Sequence, residues 1–409
     1  MKYFYHTIGV LYSLLIKLAV CFSPKARMIE RGRWRLWAKL RRELEPGAQY
    51  IWIHASSLGE FEQGRPLIEL IKQECPDERI LLTFFSPSGY EVRKNYDLAD
   101  VVCYLPADTI GNARRFVRMV NPKMAILIKY DFWPCFLFEL RRLKIPTYLI
   151  SAAFRPSQLF FKWYGGAYKA VLRCLTKLYV QDDASRDLLA KHGITNVEVT
   201  GDTRLDRVIS VSLKRKSLPI FDAFRASTSG PIIVAGSTWP QDEEILLRYF
   251  AAHPDVKLIL APHEVNRAHI LNIISHIKRP FVRLSEAQLE KVDEQDCIII
   301  DSFGLLSSVY RFADLAYVGG GFGKGIHNAP EAAVYGLPVL FGPHYRKFRE
   351  AVGLVEEGGA FCVNTLEEFS SLADSLFADS SNRRRACEAS YSYIHRNAGA
   401  TERVMRDIF

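Results

Sequence analysis

Cysteine is sparse and scattered in this chain: eight in 409 residues, no two within four residues of each other. With no Cys-x-x-Cys pair, zinc ribbons and thioredoxin-like redox motifs are excluded. Unpaired spacing in a chain this long suits a reducing cytoplasm. Internal repeats and low-complexity tracts are also missing. Acids are almost absent between Lys25 and Arg42, where Glu30 stands alone among lysines and arginines. The net charge of +9 is therefore uneven, and it points to an anionic surface as a partner. No nucleic-acid-binding motif accompanies the patch, so nucleic acid is not expected. A hydrophobic content of 49% with 24% charged residues describes a folded, largely water-soluble body and excludes a multi-span membrane protein.

Residues 3–22 are mostly apolar, interrupted by His6 and Lys17. The start carries only Lys2 and no Ala-x-Ala site precedes the basic run, so a cleaved signal peptide is not expected. About twenty apolar residues suffice to span a bilayer, but a mid-segment lysine costs ~2.5–3.5 kcal/mol there. Trp34, Trp37 and Leu40 then recur at helical spacing among arginines, the composition of a helix lying on an anionic membrane. A single span, an interfacial helix and a buried helix are the readings open; membrane association with the body on the cytoplasmic side is expected.

From Tyr50 onward short apolar strands alternate with helical stretches. Strands are predicted at 50–54, 80–85, 101–105, 124–128, 147–151, 177–180 and 197–200, and again at 232–235, 257–261, 297–301, 315–318 and 339–341. This alternation predicts parallel sheets covered on both faces. The expected organisation is a membrane-associating segment (1–45), a Rossmann-like domain (46–210), a linker (211–230) and a second Rossmann-like domain (231–409). Ligands of open α/β sheets sit at the C-terminal strand ends, so the cleft between two facing domains is the expected site.

Two motifs carry chemistry. In the second half, a strand ends in Gly319-Gly320-Gly321, and a turn through Gly323, Lys324 and Gly325 leads to His327-Asn328-Ala329-Pro330-Glu331, predicted to open an Ala-rich helix. Glycines admit a ligand close to the backbone, and a helix N-terminus offers N–H groups to a phosphate. His327, Asn328 and Glu331 suit a ribose or a sugar, so this half is expected to grip a nucleotide-activated sugar. No Asp-x-Asp pair for a metal stands beside the loop. In the first half, His54-Ala55-Ser56-Ser57-Leu58-Gly59-Glu60 puts one carboxylate at the mouth of a helix. Glu60 is either a general base for a hydroxyl or a first-turn acid stabilising the helix; spacing does not separate the two.

These segments, with Tyr104-Leu105-Pro106-Ala107-Asp108, Asp131-Phe132-Trp133-Pro134, Gly201-Asp202-Thr203-Arg204-Leu205-Asp206, Gly236-Ser237-Thr238 and Gly342-Pro343-His344, resemble the 3-deoxy-D-manno-octulosonic acid (Kdo) transferases of lipopolysaccharide synthesis, over nearly the whole chain. The resemblance implies a GT-B fold and inverting, metal-independent transfer of Kdo from CMP-Kdo to the lipid A precursor (lipid IVA), with no cofactor, on the cytoplasmic face of the inner membrane. It implies Glu60 as base, with Asp131 and Arg204 supporting the transition state. CMP would be held by Pro262 and His263, by Phe303 and Gly304, and by Asn328, Ala329, Pro330 and Glu331. Backbone N–H groups after Gly321 would face the phosphate charge. Three positions depart from the family pattern. Lys129 replaces an acid, His263-Glu264 stands where an arginine is expected, and Ile326 precedes His327; Arg267 and Lys324 are candidates to replace the missing cation. The competing readings are a GT-B transferase with another nucleotide sugar and lipid, a nucleotide-sugar epimerase, and a membrane-bound sensor that kept only the fold.

Overall fold

The computed structural model describes residues 2–214 and 216–409. They form two compact units, residues 1–207 with 398–409 and residues 208–397. In the first, seven strands lie in the order β3-β2-β1-β4-β5-β6-β7. They are β1 (Tyr50–Ala55), β2 (Ile80–Phe84), β3 (Val101–Tyr104), β4 (Pro122–Ile128), β5 (Thr147–Ala152), β6 (Lys177–Val180) and β7 (Val197–Val199). All pairs are parallel. Strand side chains alternate between faces, and here each face has its own core. Trp52, Leu81, Ala125, Leu127, Leu149 and Leu178 pack on one side, and Ile51, Ile53, Leu82, Ile126, Ile150 and Tyr179 on the other. Burial on both faces explains why the strands read as unbroken apolar runs.

The second unit repeats the plan with β8 (Ile232–Thr238), β9 (Lys257–Pro262), β10 (Phe281–Arg283), β11 (Cys297–Ile299), β12 (Leu315–Val318), β13 (Val339–Phe341) and β14 (Ala360–Cys362). The order is β10-β11-β9-β8-β12-β13-β14, again parallel. The two edge strands, β10 and β14, are additions to the sequence reading. Each is three residues long and only partly buried, so neither carries a periodic signal.

Two boundaries differ from expectation. The stretch read as a linker contains the helix Pro219–Ala226, whose Phe221 and Phe224 are fully buried. The last twelve residues, assigned by sequence to the second domain, pack with the first unit. Val404 and Met405 of the Ala400–Ile408 helix enter its core, and Asp206 accepts hydrogen bonds from the Gly399 and Thr401 amides and the Thr401 hydroxyl.

The chain begins with the helix Lys2–Ala19, which bends by 117° into Pro24–Trp34. Among the described residues, no single helix is long and apolar enough to cross a membrane. Tyr5 and Ile16 face the first unit and are buried, whereas Phe4, Ile8, Leu11, Leu15 and Leu18 are exposed along one stripe at helical spacing. Gly9 permits this seating, because a side chain there would collide with the Asp108 carbonyl.

Candidate functional site

The first unit's candidate group grows from the end of β1. Ser57, in extended backbone, caps the Leu58–Glu74 helix by accepting the Glu60 amide at 3.4 Å. Its hydroxyl in turn donates to Glu60 Oε2 at 3.1 Å. Glu60 is thus fixed in the first turn, partly exposed, at the mouth predicted for it. Ser56 turns the other way: its amide donates to Asp131 Oδ2 at 2.9 Å and its hydroxyl bonds to Oδ1. Asp131 lies almost fully buried on the loop after β4. Burial, and next the neighbouring Glu60 carboxylate, push it well above the usual carboxylate range, with the Ser56 bonds pulling back. Two predicted acids therefore stand beside each other in unlike surroundings.

A buried chain of hydrogen bonds braces this group, and sequence reasoning missed it. Trp133 Nε1 donates to His54 Nε2 at 2.8 Å, so that nitrogen carries no proton. The proton sits on Nδ1, which donates to Thr83 Oγ1 at 2.8 Å. Thr83 also accepts from Trp52 Nε1 at 2.8 Å and donates to the Ile53 carbonyl. Burial pushes His54 down to about 3, the Thr83 bond opposing. His54 is neutral, so its 3.7 Å approach to Asp131 Oδ2 is not an ion pair.

Arg204 is placed elsewhere in the same unit, at the start of the Thr203–Leu213 helix, where it pairs with Asp202 at 2.6 Å. Its link to the Glu60 helix is indirect: Thr203 Oγ1 donates to the Gln63 carbonyl at 2.5 Å.

In the second unit the glycine run follows β12 as expected. A Cβ on Gly321 would lie 2.5 Å from the Gly342 amide nitrogen, and one on Gly319 2.4 Å from the Ser237 carbonyl oxygen. Only glycine fits between those backbones. Asp242, buried at the start of the Pro240–Ala252 helix, accepts from the Gly320 amide at 2.9 Å and from Tyr317 OH at 2.7 Å. It also accepts from the Trp239 amide, tying the loop to the end of β8.

His263, after β9, and His327 stack at 4.4 Å. Trp239, which sequence reasoning missed, stacks on His263 at 4.8 Å and donates its indole N–H to His327 Nε2 at 3.2 Å. Its signal was its place directly after Gly236-Ser237-Thr238. Burial, then His263, pushes His327 below its ordinary value. Asn328 donates to Glu331 Oε1 at 2.7 Å and keeps a buried Oδ1 with no hydrogen-bond partner among the described residues.

The Ala-rich helix opens at Pro330 as expected and is a single turn, Pro330–Ala333, with Gly336, at φ +66°, and Pro338 closing it before β13. Pro262 ends β9 beside His263, and Ala329 and Pro330 are buried. Phe303 and Gly304 form an exposed tip after β11, Phe303 at 77% exposure. Lys324 and Arg267 are exposed, on the glycine turn and at the start of the Arg267–His276 helix.

The family pattern described as 3-deoxy-D-manno-octulosonic-acid transferase (kdotransferase) matches residues 29–207. A Haemophilus influenzae protein named 3-deoxy-D-manno-octulosonic acid transferase is 30% identical over 377 residues, covering 88% of this chain and 86% of its own. The chain belongs to the Kdo transferase family. A Bordetella pertussis protein of the same name is 28% identical over 398 residues, 91% of each chain. This chain is accordingly a glycosyltransferase. Among solved structures it is similar to the Neisseria meningitidis UDP-GlcNAc 2-epimerase bound to UDP-GlcNAc, with a TM-score of 0.61 and 15% identity over 88% of this chain and 99% of that one. At that identity the likeness shows the fold alone: α/β, GT-B, with two Rossmann-like units.

Proposed function

We propose that this family member transfers Kdo from CMP-Kdo to lipid IVA, with inversion and without a metal, at the cytoplasmic face of the inner membrane. The observation that carries the reading is the Glu60–Asp131 pair. A partly exposed carboxylate fixed by Ser57 suits removal of the acceptor hydroxyl proton as oxygen attacks the anomeric carbon. The C–O bond to the CMP phosphate breaks on the opposite face. Burial and the neighbouring Glu60 hold Asp131 toward its protonated form, which lessens the like charge beside that base. Arg204 is assigned to the transition state's negative charge.

The second unit supports donor binding. The exposed Trp239–His263–His327 face offers rings against which a nucleobase or sugar can pack. Asn328 Oδ1 awaits a hydroxyl or amino donor, and Pro262, Phe303, Gly304, Ala329, Pro330 and Glu331 complete the assigned lining. Amides near Gly321, with Lys324 and Arg267, would meet the phosphate and the Kdo carboxylate. The apolar stripe of Lys2–Ala19 suits a helix lying on an anionic bilayer. Of Trp34, Trp37 and Leu40 in the basic run, only Trp34 is exposed; the other two, expected on the same face, pack into the first unit's core.

The test is transfer from CMP-Kdo, generated in situ, to lipid IVA in the presence of EDTA, with products read by mass. Wild type should add Kdo-sized increments, and Glu60→Gln should bind CMP yet give no product. Normal turnover by Glu60→Gln would remove that residue from the base role. Competition by UDP rather than CMP would favour a different nucleotide sugar.

A further inference from the structure

The first unit has a second apolar protrusion that the proposed chemistry does not use. Between β5 and the Gly166–Leu172 helix, a loop containing the short turn Leu159–Phe161 projects Trp163 and Tyr164 outward. Trp163 is 94% exposed and Tyr164 54%, with Leu159 beside them at 45%. The two rings meet edge to face at 5.4 Å, so they form one knob. The loop's base is not loose. Phe160 packs on Phe132 at 4.9 Å, next to Asp131, and on Tyr168 at 6.0 Å. Tyr168 packs in turn on Tyr5 of the first helix at 6.1 Å. The knob is thereby braced close to the start of that helix, where Tyr3 and Phe4 are also exposed.

Charge identifies the occupant. From Leu140 to Gln181 the sequence has eight lysines or arginines and no acid; Arg142 pairs with Glu139 and Lys177 with Glu198 and Asp407, while Lys162 adjoins the knob directly. Aromatic rings that are apolar in body and polar at the tip, flanked by cations, match the headgroup layer of an anionic bilayer. We propose that the Leu159–Tyr164 loop is a second membrane contact, inserting Trp163 and Tyr164 into an anionic lipid surface. With the first helix it would fix which way the Asp131 loop faces the bilayer. This inference rests on the membrane reading above.

The full chain is mixed with vesicles of equal parts phosphatidylcholine and phosphatidylglycerol, with or without brominated acyl chains, and tryptophan fluorescence is followed. Wild type should bind and be quenched by bromine. Trp163→Phe should lose a distinct share of that quenching, and Trp163→Ala with Tyr164→Ala should bind about tenfold more weakly. Both variants should melt as wild type does and keep activity on a detergent-dispersed acceptor, because the knob packs on little else. Quenching and affinity unchanged in both variants, while Leu11→Gln with Leu15→Gln abolishes binding, would overturn the loop contact and leave the helix reading standing. No vesicle binding by wild type would overturn both. A Trp163 blue shift that grows with protein concentration in the absence of lipid would overturn it in favour of a second copy of the chain.

Discussion

Replacing Thr83 by valine deletes one hydroxyl while keeping shape and volume nearly constant. That hydroxyl accepts from Trp52 Nε1 and His54 Nδ1 at 2.8 Å each, and all three side chains are fully buried. In the variant neither donor can reach water. His54 cannot escape by moving its proton to Nε2, because Nε2 must accept from Trp133. Two buried donors are therefore stranded, each costing about 1–3 kcal/mol, for a total of roughly 2–6 kcal/mol. Thr83→Ser keeps the hydroxyl and loses one methyl, at about 1 kcal/mol. Urea unfolding followed by circular dichroism, with equal m-values as a check on two-state behaviour, should rank wild type above Ser and Ser well above Val. Since His54 stays neutral down to about pH 3, the gap between the variants should not change from pH 5 to pH 8. Valine at or above serine in stability would refute the hydrogen-bond account of this network, and a gap that closed across that range would mean that His54 titrates after all.

Two further outcomes follow from the same unit. Asp131→Asn can preserve both Ser56 bonds, with Oδ1 accepting the amide and Nδ2 donating to the hydroxyl, while removing a buried ionisable group. The folded-state pKa of Asp131 is raised, so wild type gains stability from it below the unfolded carboxylate value and loses that stability as pH rises toward the folded one. The Asn variant's stability relative to wild type should therefore climb through that window and level off above it, while transfer falls at least tenfold; thermal melts across pH and the mass assay read the two effects, and a flat stability difference would oppose a raised pKa. Truncation after Asn397 strips the Ala400–Ile408 helix, exposes the core that Val404 and Met405 cover, and leaves Asp206 without three donors. Calorimetry should show the melting temperature falling by several degrees, since ~1 kcal/mol shifts a large domain by about 2–4 °C; an unchanged melt would mean that this helix contributes little to the first unit.

What was legible in the sequence was what local composition controls. β1 through β9 each announce themselves as apolar runs bounded by Gly, Pro or charge, and HASSLGE places Glu60 on a helix start because Ser57 is a strong cap. The missed features depend on residues distant in the chain. Thr83 joins the Glu60–Asp131 neighbourhood only because β2 lies next to β1 in register, His54 opposite Thr83. Trp239 joins His263 and His327 only because β9 and β12 flank β8. The Pro330 helix, by contrast, was legible from local composition, since Gly336 and Pro338 mark where it must stop. The final helix looked like part of the second domain because proximity in sequence is a poor guide once a chain crosses back.

Backbone strain marks the same places independently. Five described residues other than glycine hold a left-handed φ: Asn121 and Lys144, at 49° and 57°, follow helices, whereas Lys129, Ser151 and Ser237, at 66°, 54° and 54°, each lie at the C-terminal end of a strand or just beyond it. A left-handed conformation costs a side-chain-bearing residue about 1–2 kcal/mol, so each must be held by its surroundings. At Ser151 the hydroxyl bonds to Thr203 Oγ1 at 2.7 Å, fixing the start of the Arg204 helix. Ser237 brings its carbonyl so close to Gly319 that no Cβ fits there. Lys129 reverses the chain just before Asp131, and the turn presents that carboxylate to Ser56 rather than to solvent. Glycine at any of the three would relieve the strain, but it would also loosen the turn that aims a functional group. That three of the five fall at strand ends, where open α/β sheets bind ligands, is an argument for the site that uses neither the motifs nor the family.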